Sequence, residues 1–391
     1  MKFNEEDITR WTRLAIALFC KRTFTRLNKP LLVPRGSGPI KNLAYYISGH
    51  GYGHYARSIP VLKQLVSGFN VHIKSEILES LFTQYLGEDV NHWLQPVDTG
   101  CVHPNSLEID PKETFRKFQT FQNRSMIEAE KNWLRENQIA LVLSDVASMP
   151  VKAAHVLGIP SILIANFTWH DIYSHLPGAE EQKHLLQMLE EEYSCADLHI
   201  LPQCHLPQPS TRKTREVGFI AQKGQDIRND LEQYLDICFA GKTLIFIYLG
   251  KYGTHSVLWK NLSQHKDCLY LTRDPIEQAI PNLHLLDDRF EFPDLIASVD
   301  LVCTKGGYST LGSAFASHKP VITCGRKDFY EFEAIREYLQ KTQTGVIIED
   351  DDFYQGNWQT AIKTALGLTV KDKVPLNGEV KILEALHQIL A

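Results

Sequence analysis

Two histidines, His50 and His54, stand among three glycines in the segment Tyr45-Tyr46-Ile47-Ser48-Gly49-His50-Gly51-Tyr52-Gly53-His54-Tyr55-Ala56-Arg57. Imidazole exchanges a proton readily near neutral pH, so either ring suits a general base acting on a hydroxyl. Gly49, Gly51 and Gly53 carry no Cβ, so the backbone there can turn sharply and approach a ligand closely. After them Ile59, Leu62, Leu65, Val66 and Phe69 line one face of a helix, whose start offers N–H groups and a positive dipole end to an anion. His54 falls at the loop–helix junction and is the first choice for the base; His50, one turn earlier, is the second. Rings that only hydrogen-bond the turn are the structural alternative. Arg57 fits a phosphate contact and a loop-fixing ion pair equally well.

Other strand ends carry further candidates. Asp145 follows Leu141-Val142-Leu143-Ser144, where a carboxylate can orient an imidazole or cap the next helix. Asn166, Thr168 and Trp169 leave the following strand; the first two can bond acceptor hydroxyls, and Trp169 can stack on a sugar or join the core. In the second half, Lys305-Gly306-Gly307-Tyr308-Ser309-Thr310 has the make-up of a backbone phosphate cradle, although no G-x-x-x-x-G-K-[ST] occurs. A second strand-end loop, with Gly250 and Lys251, strengthens that reading. Arg326, Lys327, Asp328, Glu331 and Glu333 follow the next strand, within reach of the same ligand or as a solvated loop. The acidic run Glu349–Asp352 is expected in an exposed loop, and no metal is expected.

The elements that must hold these residues alternate. Apolar runs at 43–48, 70–74, 140–143, 161–165 and 198–201 are separated by helical patterns at 58–67, 111–137 and 151–157. A second series has strands at 243–248, 269–272, 301–303, 320–323 and 345–348, with helices at 308–317 and 332–341. Strand–helix alternation with continuous apolar strands indicates parallel sheets covered on both faces. The expected class is therefore α/β, with two Rossmann-like doubly wound domains facing a cleft. The domains are read as a basic extension and linker at 1–40, a first domain at 41–222 and a second at 223–391. The pattern at 378–391 is a helix able to close the core of either half.

Composition narrows the function. The chain has 391 residues, 43% hydrophobic and 22% charged, with a net charge of −5, which gives no reason to expect nucleic acid as partner. Eight scattered cysteines without a C-x-x-C pair suit reduced thiols and a cytoplasmic location. No apolar run is long enough to span a bilayer. From Ile8 to Arg35 there are seven basic residues and no acid, which reads as an amphipathic helix on the inner membrane surface, as an extra helix packed on the domain or as a frayed leader.

Taken together and in order, YYISGHGYGHYARS, LVLSDVASMPVKAA, NFTWHDIY, LPQCHLP and KGGYSTLGSAFASHKPVITCGRKDFYEFE resemble glycosyltransferases of the two-Rossmann-domain (GT-B) type. They are most similar to the glycosyltransferase-like N-terminal region of plant L-arabinokinases. The resemblance covers roughly residues 43 to 345. It implies a metal-independent glycosyltransferase that moves a sugar from a nucleotide-sugar, UDP-linked by expectation, to a hydroxyl acceptor, with the nucleotide-sugar as co-substrate and no further cofactor. By resemblance His54, or else His50, acts as base, and Gly306, Gly307, Ser309 and Thr310 hold the donor diphosphate. Where many relatives carry a ribose-gripping Glu, this chain has Ser313, so Glu331 or Glu333 is left to serve. Two other classes remain open: a nucleotide-sugar 2-epimerase-like enzyme, and a non-catalytic sugar-nucleotide-binding protein. The kinase half of the arabinokinases is absent from this sequence, so no sugar kinase activity is expected.

Overall fold

A computed structural model describes residues 41–88, 90–104, 108–121, 124–250, 257–276, 278–326 and 329–390. The basic segment 8–35, Lys251, Lys327 and Asp328 lie outside the described residues.

The continuous apolar runs become the inner strands of two parallel sheets. The first sheet contains β1 (Lys41–Ile47), β2 (Phe69–Ser75), β3 (Val90–Leu94), β4 (Ile139–Asp145), β5 (Ser161–Ile164), β6 (Leu198–Pro202) and β7 (Thr214–Val217), in the order β3-β2-β1-β4-β5-β6-β7. The second contains β8 (Thr243–Tyr248), β9 (Cys268–Thr272), β10 (Leu283–Leu285), β11 (Leu301–Thr304), β12 (Val321–Cys324) and β13 (Gly345–Ile348), in the order β10-β9-β8-β11-β12-β13. The α/β, doubly wound expectation therefore holds in both halves. Three strands went unforeseen: β3, β7 and β10, with sequences VNHWL, TREV and LHL. Each lies at a sheet edge, where one side is solvated and no unbroken apolar run is required.

Both sheets reverse their winding at one place, between β1 and β4 in the first and between β8 and β11 in the second. Helices leave opposite faces at such a point, and the strand ends open into a crevice. Register aligns the openings: Ile47 pairs with Asp145, and Thr304 with Tyr248. The histidine segment, Asp145, the Gly250 loop and the Lys305–Thr310 turn all start from these strand ends.

Five helices position the site: α1 (Tyr52–Leu65), α2 (Trp169–Ser174), α3 (Tyr308–Ala316), α4 (Glu331–Thr342) and α5 (Gly378–Leu390). The segment expected as one helix at 111–137 forms two, Pro111–Phe121 and Arg124–Glu136. The second is anchored to the sheet by a buried ion pair between Lys74 and Glu130 (2.7 Å), with the ammonium 3.6 Å from the Trp133 ring centre. The acidic run opens a short helix, Asp350–Tyr354, instead of a loop.

The second domain, read as 223–391, ends early. Ile382, Ala385 and Leu386 of α5 join the core of the first half, with Leu43, Ile59 and Leu62. Their apolar stripe meets the face of α1, so the chain crosses back before its last helix. The two crossings lie side by side: Phe219 N–H donates to Pro375 O (2.8 Å), and Gly378 N–H to Phe219 O (3.1 Å). No described helix is long and apolar enough to cross a membrane.

Candidate active site

Helix α1 begins earlier than its apolar periodicity indicates, at Tyr52, so His54 lies in its first turn. Its Nδ1 is 2.8 Å from Asp145 Oδ1 at the end of β4. Arg57 Nη2, which only donates, also lies 3.0 Å from this Nδ1, whereas the carboxylate only accepts; the tautomer that satisfies the shorter Asp145 contact has its proton on Nδ1 and its lone pair on Nε2. Asp145 is wholly buried and is also gripped by Arg57, whose Nε donates to Oδ2 at 2.6 Å and whose second terminal nitrogen donates to Oδ1. Burial raises the carboxyl's pKa, but Arg57 and His54 outweigh it and hold the group at about 2. Of the two readings of Arg57, the ion pair is the one formed. Asp145 orients the imidazole, and the next helix starts only at Met149, so it does not cap it.

His50 is differently placed. Its Nδ1 accepts from the Cys101 N–H (3.3 Å), and its Nε2 lies 3.2 Å from His103 Nε2. His103 Nδ1 in turn lies 2.8 Å from the carbonyl of Glu108. One proton assignment satisfies all three contacts: His103 donates to Glu108, His50 donates to His103, and Cys101 donates to His50. Both rings are then neutral, and His50 keeps no spare lone pair. Burial lowers its pKa well below the usual imidazole range, and His103, His54, Lys305 and Arg326 lower it further. The ring packs directly on Gly100, where a Cβ would come within 2.3 Å of its Nδ1.

The three residues expected to hold an acceptor have other tasks. Trp169 is only 2% exposed; its ring stacks on Tyr173 and abuts His50, and its Nε1 donates to Asp98 (3.0 Å). It is a core residue, because α2 turns its apolar face inward. Thr168 caps α2 in a reciprocal box with Asp171. Asn166 is fully buried, accepts from Arg57 (2.5 Å) and donates to Glu331 (2.7 Å). Beside them a cavity of about 270 Å³ is lined by Thr168, His170, Asp171, Glu190, Gln208 and Tyr330.

The second half faces this group directly. Ser309 Oγ donates to the carbonyl of Gly53, the residue before His54, at 2.6 Å. The loop that carries His54 and the start of α3 after the Gly306–Gly307 turn therefore meet. Gly306 has φ +81°, and a Cβ there would lie 2.7 Å from the Phe332 ring, so only glycine fits. Helix α3 has Gly307 as its N-cap, with no side-chain cap and no acid in its first turn, which leaves its positive end open to an anion; Thr310 is buried within that turn. Ser313 is buried further along α3.

Lys305 and Arg326 make no hydrogen bond or ion pair with any described residue, and Arg326 Nε is buried without an acceptor. Burial, with Arg326 nearby, pulls the Lys305 pKa down to about 8. The Gly250 N–H, by contrast, is taken by Asp274 (2.9 Å), a buried carboxylate that sequence reading missed because its strand-end position lies far along the chain. Glu333 pairs with Arg336 on the surface of α4.

Two parallel sheets, each with its switch point turned to a common cleft, define the GT-B class of fold. Comparison with solved structures agrees over about nine-tenths of the chain. A UDP-glucosyltransferase from Polygonum tinctorium capable of glucosylating indoxyl matches with TM-score 0.62 at 15% identity, covering 91% of this chain and 94% of that one. The glycotransferase of kitacinnamycin matches with TM-score 0.64 at 12% identity, over 90% and 100%. MurG of Acinetobacter baumannii matches with TM-score 0.56 at 13% identity, over 90% and 100%. In sequence, the chain is 26% identical over 343 residues to L-arabinokinase of Arabidopsis thaliana, covering 86% of this chain and 33% of that protein. It thus spans about a third of the length of that curated relative. No family model matches.

Proposed function

We propose that this protein is a glycosyltransferase that moves a sugar from a nucleotide-sugar, UDP-linked, to a hydroxyl acceptor without a metal ion. The observation that carries the reading is the His54–Asp145 pair, set beside the uncapped start of α3 through the Gly53–Ser309 contact.

The donor diphosphate lies against the Gly306, Gly307, Ser309 and Thr310 turn, with Lys305 and Arg326, which form no ion pair with a described residue, supplying positive charge. The acceptor enters from the first half, next to the cavity at Thr168 and His170. His54 Nε2 takes the proton from the acceptor hydroxyl as its oxygen forms a bond to the anomeric carbon. The bond from that carbon to the diphosphate oxygen breaks, and the cationic cluster and helix dipole stabilise the departing charge. Asp145 holds the ring in the productive tautomer and balances the imidazolium that forms. The proton is then lost to solvent.

The test begins with thermal-shift screening against UDP-, GDP- and dTDP-sugars, since bound ligand raises the melting point. Turnover of the stabilising donor is then measured with and without hydroxyl acceptors. Transfer that depends on His54 supports the proposal. Donor conversion without any acceptor would instead indicate epimerase-like chemistry, and binding without turnover a non-catalytic role.

A further inference from the structure

A chain of buried polar groups crosses from one half to the other and ends at the base. Asp145 binds both His54 and Arg57; Arg57 Nη1 donates to Asn166 Oδ1 at 2.5 Å; Asn166 Nδ2 donates to Glu331 Oε1 at 2.7 Å. Asp145, Arg57 and Asn166 belong to the first half, at the end of β4, in α1 and after β5. Glu331 is the first residue of α4 in the second half. All four are at most 8% exposed. The guanidinium also lies 5.5 Å from the ring of Tyr308, the first residue of α3, so the second half reaches Arg57 directly through Tyr308 and indirectly through Asn166.

The chemistry of the link is specific. A guanidinium only donates and a carboxylate only accepts, so the residue between them must accept on one side and donate on the other. A side-chain amide of asparagine length does this. An aspartate would turn an acceptor toward Glu331, and an alanine would leave two buried charges without a bridge. Glu331 therefore has a task other than gripping a ribose: its Oε1 is held by the opposite half.

We infer that Asn166 is a positioning residue that couples closure of the two halves to alignment of the His54 base. When the second half is seated, Glu331 holds Asn166, Asn166 holds Arg57, and Arg57 fixes the carboxylate that sets the His54 ring. When the halves part, the link breaks at Asn166–Glu331, so Asn166 is no longer held from its far side, and Arg57 loses the Tyr308 ring. This rests on the transferase reading of the site for its kinetic consequence, but not for the existence of the coupling.

Asn166→Asp, Glu331→Leu and Glu331→Gln are compared in the full chain by steady-state kinetics and hydrogen exchange. Glutamine can still accept from Asn166, so Glu331→Gln should stay near wild type. Asn166→Asp and Glu331→Leu should lower kcat roughly 10- to 100-fold while the donor KM changes less than about threefold. Both should also speed amide exchange on the two sides of the link, at 167–172 and at 331–335, with strands β8 and β9 unaffected. If Glu331→Gln raises the donor KM as strongly as Glu331→Leu, Glu331 binds donor directly and the inference is wrong. Faster exchange on one side alone, or unchanged kcat in Asn166→Asp, also overturns it. If wild-type protein turns over no nucleotide-sugar, the function proposed above fails, and the exchange comparison still decides the coupling.

Discussion

His54 Nδ1 and Asp145 Oδ1 lie 2.8 Å apart although 91 residues of chain separate them. The contact exists because β1 and β4 are neighbours in register, with Ile47 opposite Asp145, at the point where the sheet reverses its winding. The same carboxylate holds Arg57, so a single buried acid joins the proposed base to the rest of the cleft.

The two histidines should separate cleanly on mutation. His54→Ala is expected to lower kcat by about 100-fold or more, the usual contribution of a general base. His50→Ala should cost less than about tenfold, because both its nitrogens already serve the His103 and Cys101 contacts. Single-turnover rates of transfer measure the difference, and a larger loss for His50→Ala would reverse the assignment.

Asp145→Asn should affect both stability and rate. Removing one member of a buried pair costs about 3–5 kcal/mol, which chemical denaturation would record. The folded carboxyl titrates at about 2, below its unfolded value of 3.8. Its stabilising contribution is thus complete above the unfolded value and is lost as pH falls through the folded one. The variant should therefore show a shallower loss of stability between about pH 4 and pH 2 than wild type.

Asp98 points the other way. It accepts from Ser48 (2.9 Å) and Trp169 (3.0 Å), yet burial raises its pKa to about 6 from 3.8. The folded state then binds more protons than the unfolded one between those values, so this group makes stability fall as pH rises through that window. The stability of Asp98→Asn relative to wild type should improve between pH 4 and pH 7, by about 3 kcal/mol at most. A difference independent of pH would show that Asp98 is ionised throughout.

Lys305 offers a test of anion binding. Its pKa is drawn down to about 8, and a phosphate beside it would raise that value. Binding of a nucleotide diphosphate near pH 8.5 should accordingly take up a proton, detectable by calorimetry in buffers of different ionisation enthalpy. Lys305→Met should abolish the uptake and weaken binding; uptake that persists in the variant would place the anion elsewhere.

Gly100→Ala tests the wall behind His50. The backbone there has φ +55°, and a Cβ would meet the imidazole within 2.3 Å. Strain and displacement together should cost at least about 1–3 kcal/mol. The His50 ring resonances should shift in the NMR spectrum while those of His54 remain.

Much of the fold was legible along the chain, because buried parallel strands must be apolar throughout and their covering helices must repeat at their own period. The edge strands VNHWL and TREV escaped, since a half-solvated strand need not carry that signal. The α5 helix showed its apolar stripe but not its destination, and nothing local distinguishes α1 from any other apolar face. Trp169 and Thr168 read as acceptor contacts because residue type alone does not say whether a ring is open or covered.

Residue order by itself determined that two doubly wound halves would place histidines, an aspartate and paired glycines at strand ends, because patterning and backbone sterics are local. Only the tertiary structure decided which histidine keeps a free lone pair, that Arg57 serves a carboxylate instead of a phosphate, and that Asn166 bridges to Glu331. Those outcomes depend on distances between residues up to 165 positions apart, which are set by sheet order and packing of the halves. Hydrogen-bond partners of this kind are chosen by geometry in three dimensions, and no single segment carries them.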